Sequence, residues 1–326
     1  MTPALDIVIV NWNSGSALAD CLASIMVAQS DRFVLSQIVV VDNASIDHSL
    51  DCCRVSRLPL RVLPNSENLG YARACNQGAS GGAAKYVLFL NPDVRLSPGA
   101  LAEPIAFMER PKASAVGICG IRLTDAKGTD STSCARLPRP GNLVYQSFGL
   151  DRCFPRLFPP RFLSGDELKR SGCAEQIMGA FFLVRRPVYD SLQGFDERFF
   201  MYYEEVDFCA RARARGFSAY YLSNVTAVHV GGGCSRSVPG RRLFYSLESR
   251  LAYAKKHFSR SGYCCVLVAS LAVEPLARIA RACAHASFQE MGHTAEAYRA
   301  LCGSLLRGRL AVRGRGGQER FAVSRN

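Results

Sequence analysis

Short runs that are apolar throughout alternate, along the first hundred residues, with stretches where apolar positions recur every three or four residues. The runs Leu5-Asp6-Ile7-Val8-Ile9-Val10, Gln37-Ile38-Val39-Val40-Val41, Leu60-Arg61-Val62-Leu63 and Tyr86-Val87-Leu88-Phe89-Leu90 read as strands. Their lack of polar alternation predicts burial on both faces. Ser16 is placed to cap a helix in which Leu18, Cys21, Leu22, Ile25 and Met26 form one face. Asn68-Leu69-Gly70 opens a second helix through Asn76, and Ser97-Pro98 reads as a cap with proline at the first helical position, starting a third helix to about Met108. The alternation predicts an α/β fold: a mainly parallel mixed sheet with helices on both faces.

Further strands are expected at residues 115–121, 179–184, 219–222 and 227–230. Residues 123–176 carry prolines at 138, 140, 155, 159 and 160 and read as one long irregular stretch, a functional loop or lid. The rest is helical in pattern. Arg241 to His257 forms a basic helix, Tyr263 to Ala286 an apolar one that Pro275 kinks or breaks, and Thr294 to Leu306 another amphipathic one. The Gly- and Arg-rich residues 307–326 read as disordered. The expected division is 1–236 as one domain, 237–306 as a basic helical extension and 307–326 as a tail.

With 48% hydrophobic residues in 326, the chain supports a large core, which excludes global disorder. Its net charge of +13 is unevenly placed: residues 1–235 carry +2 and residues 236–326 carry +11. That asymmetry points the tail towards an anionic surface. The tail has no aromatics interleaved with its Arg-Gly end, so nucleic acid is not the expected partner. The fourteen cysteines show no CxxC or Cys/His ligand spacing and read as reduced, mostly buried thiols rather than a zinc site. No basic segment precedes the first strand, and the longest apolar run, Tyr263 to Val273, is shorter than a membrane span. The expected location is cytoplasmic and peripheral, on the inner face of the membrane. A helical cap packed on the first domain is the competing reading of the tail.

The candidate chemistry gathers where strands end: Asn11, Asp42-Asn43, and Asp93 after Asn91-Pro92. Open α/β sheets bind ligands outside the carboxyl ends of their strands. Neither GxGxxG nor GxxxxGK[ST] occurs, which argues against dinucleotide enzymes and P-loop NTPases. A phosphate bound here needs another counter-charge, and a metal held by Asp93 would supply it. In Phe199 to Ala210, Glu204, Glu205 and Asp207 follow a run of aromatics into a helix. A carboxylate pressed against Tyr202 and Tyr203 loses solvation, its pKa rises, and it becomes a candidate general base. Asp207 and Arg211 are spaced to pair on the exposed side, with Arg213 and Arg215 on the same solvated face. Each residue alone also has a plain structural reading: Asp42 and Asp93 as turn residues, His229 as a hydrogen-bonded core histidine, Trp12 as packing.

Eight segments in order resemble the inverting family 2 glycosyltransferases of the GT-A fold, in particular their bacterial rhamnosyltransferase-like branch. They are Val8-Ile9-Val10-Asn11-Trp12-Asn13, Val41-Asp42-Asn43-Ala44-Ser45, Asn68-Leu69-Gly70-Tyr71-Ala72 with Asn76, Leu90-Asn91-Pro92-Asp93, Gly179-Ala180-Phe181-Phe182, Gly194-Phe195-Asp196-Glu197, Tyr203-Glu204-Glu205-Val206-Asp207 and Val228-His229-Val230-Gly231-Gly232. The resemblance implies an enzyme that moves a sugar, rhamnose first, from a nucleotide-diphosphate donor (dTDP or UDP) to a polysaccharide or lipid-linked glycan. Another hexose, or a non-catalytic nucleotide-sugar binder, is the alternative. By resemblance Asn11, Asp42, Asn68, Gly70 and Asn76 line the donor pocket. Asn91 stands where relatives carry the first acid of a DxD element, and Asp93 with His229 would hold Mg²⁺ or Mn²⁺. Glu205 takes the position of the catalytic base, often an Asp in relatives, and the extra methylene leaves Glu204 as the other choice. Asp207, Tyr203 and Gly179 fall on the acceptor side.

Overall fold

The computed structural model describes residues 2–54, 56–231 and 238–308. Gly232, Gly233 and the Arg-rich end from residue 309 lie outside the described residues. The strands are Ala4–Asn11 (β1), Val34–Asp42 (β2), Leu60–Pro64 (β3), Tyr86–Leu90 (β4), Val94–Leu96 (β5), Val116–Thr124 (β6), Cys134–Ala135 (β7), Gly172–Ala174 (β8), Gln176–Ile177 (β9), Phe181–Arg185 (β10) and Ser218–His229 (β11). Nine of them form one sheet in the order β3-β2-β1-β4-β10-β6-β11-β5, with β8 added on β11, while β7 and β9 pair separately. β1, β2, β3 and β4 run parallel, as do β6 and β11; β10 runs antiparallel between β4 and β6, and β5 and β8 antiparallel to β11.

The helices are Ala17–Val27 (α1), Asp51–Arg54 (α2), Tyr71–Ala79 (α3), Ala102–Met108 (α4), Pro140–Ser147 (α5), Leu150–Cys153 (α6), Arg186–Ser191 (α7), Glu204–Ala214 (α8), Pro239–His257 (α9), Arg260–Val268 (α10), Glu274–Ala284 (α11) and Phe288–Leu306 (α12). The unalternating apolar strands are explained by what covers them. Ile7 and Ile9 of β1 pack with Leu18, Cys21 and Ile25 of α1 and Ile105 and Met108 of α4. Val8 and Val10, pointing the other way, pack with Ala74 and Cys75 of α3. Helix α3 comes so close that a Cβ on Gly78 would sit 2.4 Å from Val8 Cγ1. Asp6, the one charge in the β1 run, is buried against Arg186, whose Nη2 lies 2.7 Å from its Oδ2.

Several expected boundaries move. The helix expected from Pro98 begins at Ala102, because residues 97–101 form turns first. Ser16 sits at the cap of α1 without a side-chain bond to it. The two short strands expected after residue 218 are a single strand, β11, with a register shift between Leu222 and Thr226. Residues 123–176 contain α5, α6, β7 and β8 rather than a bare loop, with Arg136 donating to Pro160 O and Tyr145 to Pro159 O. Pro275 does not break its helix. A π turn at Ala269–Val273 accommodates it, and Arg260–Ala284 runs as one helix of 25 residues. The proline ring would clash with a carbonyl one turn back, and the wider turn relieves that contact.

Helices α9, α10 and α12 share a core of Leu247, Leu251, Ala254, Val266 and Leu301, to which Leu143 of α5 contributes. A second cluster, Phe199, Tyr203, Val206 and Tyr253, joins α9 to α8.

Candidate active site

The carboxyl ends of β1 and β2 converge on a buried polar knot. Asn11 Nδ2 donates to Asp42 Oδ1 (2.9 Å) and reaches Ser49 Oγ (2.9 Å) and Ser45 Oγ (3.0 Å). Ser45 in turn donates through its hydroxyl to Asp42 Oδ1 and through its backbone N–H to Oδ2. Asn11 is fully buried and its amide is spent inside this knot, so it orients Asp42 rather than reaching a nucleotide itself. That corrects its expected role as a direct contact. Asp42 keeps the hydrogen-bonding capacity, since its Oδ2 takes only the Ser45 N–H among the bonds described.

Next to the knot, Asn43 donates to Gly70 O, and the Gly70 N–H donates to Asn68 Oδ1. Gly70 has φ of +86°, and a Cβ there would lie 2.6 Å from Phe200 O. Only glycine lets α3 begin against the segment leading to the acids. Asn76 is a second correction. Its carboxamide donates to Phe195 O and Glu197 and accepts from Tyr189 OH and Phe195 N–H. Those four bonds exhaust it. Asn76 fixes the Gly194-Phe195 turn, which leaves its carboxamide no hydrogen bond to offer a nucleotide.

Asp93 and His229 come together through the sheet. The β5–β11 pairing sets His229 opposite Val94, and Val230 N–H donates to Asp93 O. Asp93 Oδ1 and His229 Nε2 are then 3.4 Å apart. Asn91 is pinned by its backbone, its N–H to Ala180 O and its carbonyl to Val94 N–H. No group of three or more His, Cys, Asp or Glu side chains arranged to hold a metal ion occurs among the described residues. One carboxylate and one imidazole fit a divalent ion whose remaining ligands are phosphate oxygens and water.

The acids stand at the first turn of α8, after a strained approach. Tyr202 and Tyr203 both have φ of 68°, a conformation costing about 1–2 kcal/mol per residue. Neighbouring bonds hold them there: Phe200 O accepts from Tyr71 N–H, Met201 O from Ser249, and Tyr203 O from Asp207 N–H. Glu204 and Glu205 are both buried, and each has one oxygen, Oε2, with no hydrogen-bond partner. Burial raises the pKa of both. Glu204, near Tyr71 and Cys75, is pushed well above the carboxylate range by burial and by the charge of Glu205. Glu205 is buried as deeply, but Arg161 and Gln176 oppose the rise. Gln176 Nε2 donates to Glu205 Oε1 at 3.1 Å, and Gly179 lies over the same side chain, its Cβ position 3.8 Å from Glu205 Cγ. Two adjacent carboxylates thus have different environments: burial raises the pKa of both, and only at Glu205 do a cation and an amide donor oppose it.

Two acceptor-side expectations fail. Asp207 is 0% exposed. Its carboxylate meets Arg211 Nε (2.6 Å), Lys256 Nζ (2.5 Å) and His257 Nε2 (2.7 Å). Burial is outweighed by His257, Arg211 and Lys256, which hold its carboxyl below the usual range. The pairing with Arg211 exists, but inside the protein, where Arg211 also donates to Leu192 O and Gly194 O. Tyr203 is likewise turned inward, its ring 5.5 Å from that of Tyr253. Both clamp α9 to α8. Sequence reasoning missed these α9 partners, and Arg161 and Gln176, because they come from segments far away in the chain.

Comparison with known proteins agrees with this architecture. Residues 6–156 match the model of "Glycosyl transferase family 2". The chain is 30% identical over 256 residues to the N-acetylglucosaminyl-diphospho-decaprenol L-rhamnosyltransferase of Mycobacterium tuberculosis, covering 70% of this chain and 76% of the relative. It is 27% identical over 169 residues to rhamnosyltransferase WbbL of Escherichia coli, covering 52% of this chain and 61% of that one. The mannosyltransferase PcManGT of Pyrobaculum calidifontis, solved with GDP-Man and Mn²⁺, superposes with a TM-score of 0.54 at 18% identity, covering 95% of this chain and 82% of that one. The sheet, with its acids and polar strand ends, is a GT-A fold, and the chain belongs to the family 2 glycosyltransferases.

Proposed function

We propose that the chain transfers a deoxyhexose, rhamnose foremost, from a dTDP- or UDP-linked donor to a lipid-linked glycan, with inversion and with Glu205 as the base. The observation that carries this reading is the half-held carboxylate: Glu205 Oε1 is fixed by Gln176 while Oε2 has no partner. The relative's name supports the sugar and the lipid-linked acceptor. The acceptor hydroxyl gives its proton to Glu205 as its oxygen bonds to the anomeric carbon and the bond from that carbon to the diphosphate breaks. One displacement inverts the centre and needs one base. Asp42 would contact the ribose or base, and the bonds from Asn11 and Ser45 that orient its carboxylate support that role. Asp93 and His229 would hold Mg²⁺ or Mn²⁺, which when bound neutralises the diphosphate leaving group.

Transfer is tested by donor turnover with Mn²⁺. Glu205→Gln is expected to lose about 10²–10⁴-fold in kcat and to keep nucleotide binding; full turnover by that variant would refute the base.

In the same reading residues 1–236 are the catalytic domain, and 237–306 dock it on the cytoplasmic face of an anionic membrane. Helix Arg260–Ala284 is long and apolar enough to cross a membrane, but Glu274 inside it is buried and paired with Arg250 and Arg278. Its outer face exposes Val268, Leu276 and Ile279, and Phe288 lies beyond it. A helix packed along one narrow stripe and apolar on its outer face, with basic flanks, suits the plane of an interface. Co-sedimentation with phosphatidylglycerol vesicles checks it: Leu276→Glu should reduce binding, and equal binding by the variant would remove the docking reading.

A further inference from the structure

The segment 155–176 brings two side chains under the acids that no comparison assigns. Gln176 is 0% exposed, and Arg161, at a bend next to Phe162, is 8% exposed. Arg161 Nη1 donates to Gln176 Oε1 at 2.6 Å, and Gln176 Nε2 donates to Glu205 Oε1 at 3.1 Å. The second Gln176 N–H faces Met178 Sδ at 3.5 Å. Arginine has donors only. The amide therefore has one orientation: turned over, its NH₂ would point at the guanidinium and its carbonyl at a carboxylate. Arg161 thus decides that a donor, not an acceptor, faces Glu205. Arg161 is itself held by the ring of Phe162, 4.2 Å from its guanidinium carbon, and by Arg136 N–H donating to its carbonyl.

Three of the seven buried side-chain atoms without a hydrogen-bond partner among the described residues cluster here: Glu204 Oε2, Glu205 Oε2 and Arg161 Nε. Such atoms are rare in native interiors and call for a reason. The Gln176 amide between them is bonded at both ends, so the unpartnered oxygens lie on the two acids and the unpartnered N–H on Arg161. Gln176 occupies one lone-pair site of Oε1 while Oε2 has no partner, so Oε2 is the oxygen open to an arriving proton.

We propose that Gln176, oriented by Arg161, is a positioning residue for the transfer: it fixes Glu205 Oε1 and leaves Oε2 as the single oxygen that takes the acceptor's proton. The proposal rests on Glu205 being the base. The groups facing Glu205 are Glu204 and Cys209 on its own helix, Tyr203 before it, Tyr71 of α3, Arg161 and the neutral Gln176. Arg161 is the one cation among them. Removing its charge, or the Gln176 donor, disfavours the ionised carboxyl, so more alkaline solution is needed to empty Oε2.

The test is an infrared titration of the full chain, with the Glu205 band assigned by subtraction of Glu205→Gln and separated from Glu204 by Glu204→Gln. Gln176→Ala and Arg161→Met are each expected to raise the Glu205 midpoint by about one pH unit, the shift that one charge-assisted hydrogen bond supports. Arg161→Lys, which keeps the charge, is expected to restore most of it, and it stands in should Arg161→Met not fold. With dTDP-rhamnose as donor and Mn²⁺, the acid limb of the kcat profile should move to more alkaline pH by the same amount. Midpoints and limbs that stay at the wild-type position in both variants, with Glu205→Gln inactive, would overturn the positioning role and leave the base standing. Turnover retained by Glu205→Gln would overturn both.

Discussion

Asp207 offers the sharpest measurement, because its expected role at the acceptor and its observed role in the fold predict different results. Its carboxylate is 0% exposed and touches Arg211, Lys256 and His257. Asp207→Asn keeps the shape and removes the charge. Breaking a buried ion pair by removing one partner costs about 3–5 kcal/mol, because the remaining charge stays buried. Here the low end applies. Arg211 retains Leu192 O and Gly194 O, and Lys256 retains Asp196 at 2.7 Å. A loss of about 3 kcal/mol follows. A chain of 326 residues unfolds with an entropy of about 0.7 kcal/mol per kelvin, so Tm should fall by about 4–5 °C. Differential scanning calorimetry gives Tm and urea titration gives the free energy. Lys256→Met closes a double-mutant cycle that isolates the pair. The KM for acceptor should stay at the wild-type value. A variant with unchanged Tm and a raised acceptor KM would refute the structural assignment and return Asp207 to the acceptor side.

Gly70→Ala should destabilise by more than about 1 kcal/mol in the same urea titration, since a positive φ and a clash are both unavailable to alanine; its Cβ position is 2.6 Å from Phe200 O. Asp196 and Asp207 both titrate below the usual carboxylate range; burial opposes this, and Arg198 and Lys256 outweigh it at Asp196, as His257, Arg211 and Lys256 do at Asp207. Groups so depressed stabilise the fold above about pH 4 and stop doing so as pH falls through their folded values; Lys256→Met, which removes a partner of both, should flatten the loss of Tm in acid. Asp93→Asn and His229→Ala should each abolish the Mn²⁺-dependent part of the thermal shift produced by dTDP or UDP, and a shift that survives in both variants would exclude this pair as the ion's ligands.

The fold was largely legible because its signal is one of burial. β1, β2 and β4 are covered on both faces, so their sequences show no alternation, and that absence is what identifies a parallel core. What the pattern hid was tertiary. Ser97-Pro98 has the chemistry of a helix start, yet residues 97–101 turn before α4 begins. Pro275 has the chemistry of a helix stop, yet the π turn ahead of it keeps the helix continuous. Local propensity set the candidate boundary in both places, and packing decided whether the chain used it.

The site divides along a similar line. Asp42, Asp93, His229, Glu204 and Glu205 were visible because charged side chains at strand ends and after aromatics have few reasons to be there. Their roles were less visible, since a role depends on which lone pairs remain once neighbours have taken theirs. Asn11 and Asn76 stand in the right segments and are fully engaged elsewhere, Asn11 holding Asp42 and Asn76 holding the turn at Phe195. Asp207 lies two residues beyond Glu205, and the helical turn that tips Glu205 towards Gln176 tips Asp207 towards α9. Three carboxylates in four residues therefore have three environments: Glu204 buried beside Tyr71 and Cys75, Glu205 buried but held by Gln176 near Arg161, and Asp207 locked to the C-terminal helices. Only the middle one combines a fixed oxygen, an unpartnered oxygen and a glycine over it, and that combination, rather than the count of acids, is what supports proposing Glu205 as the base.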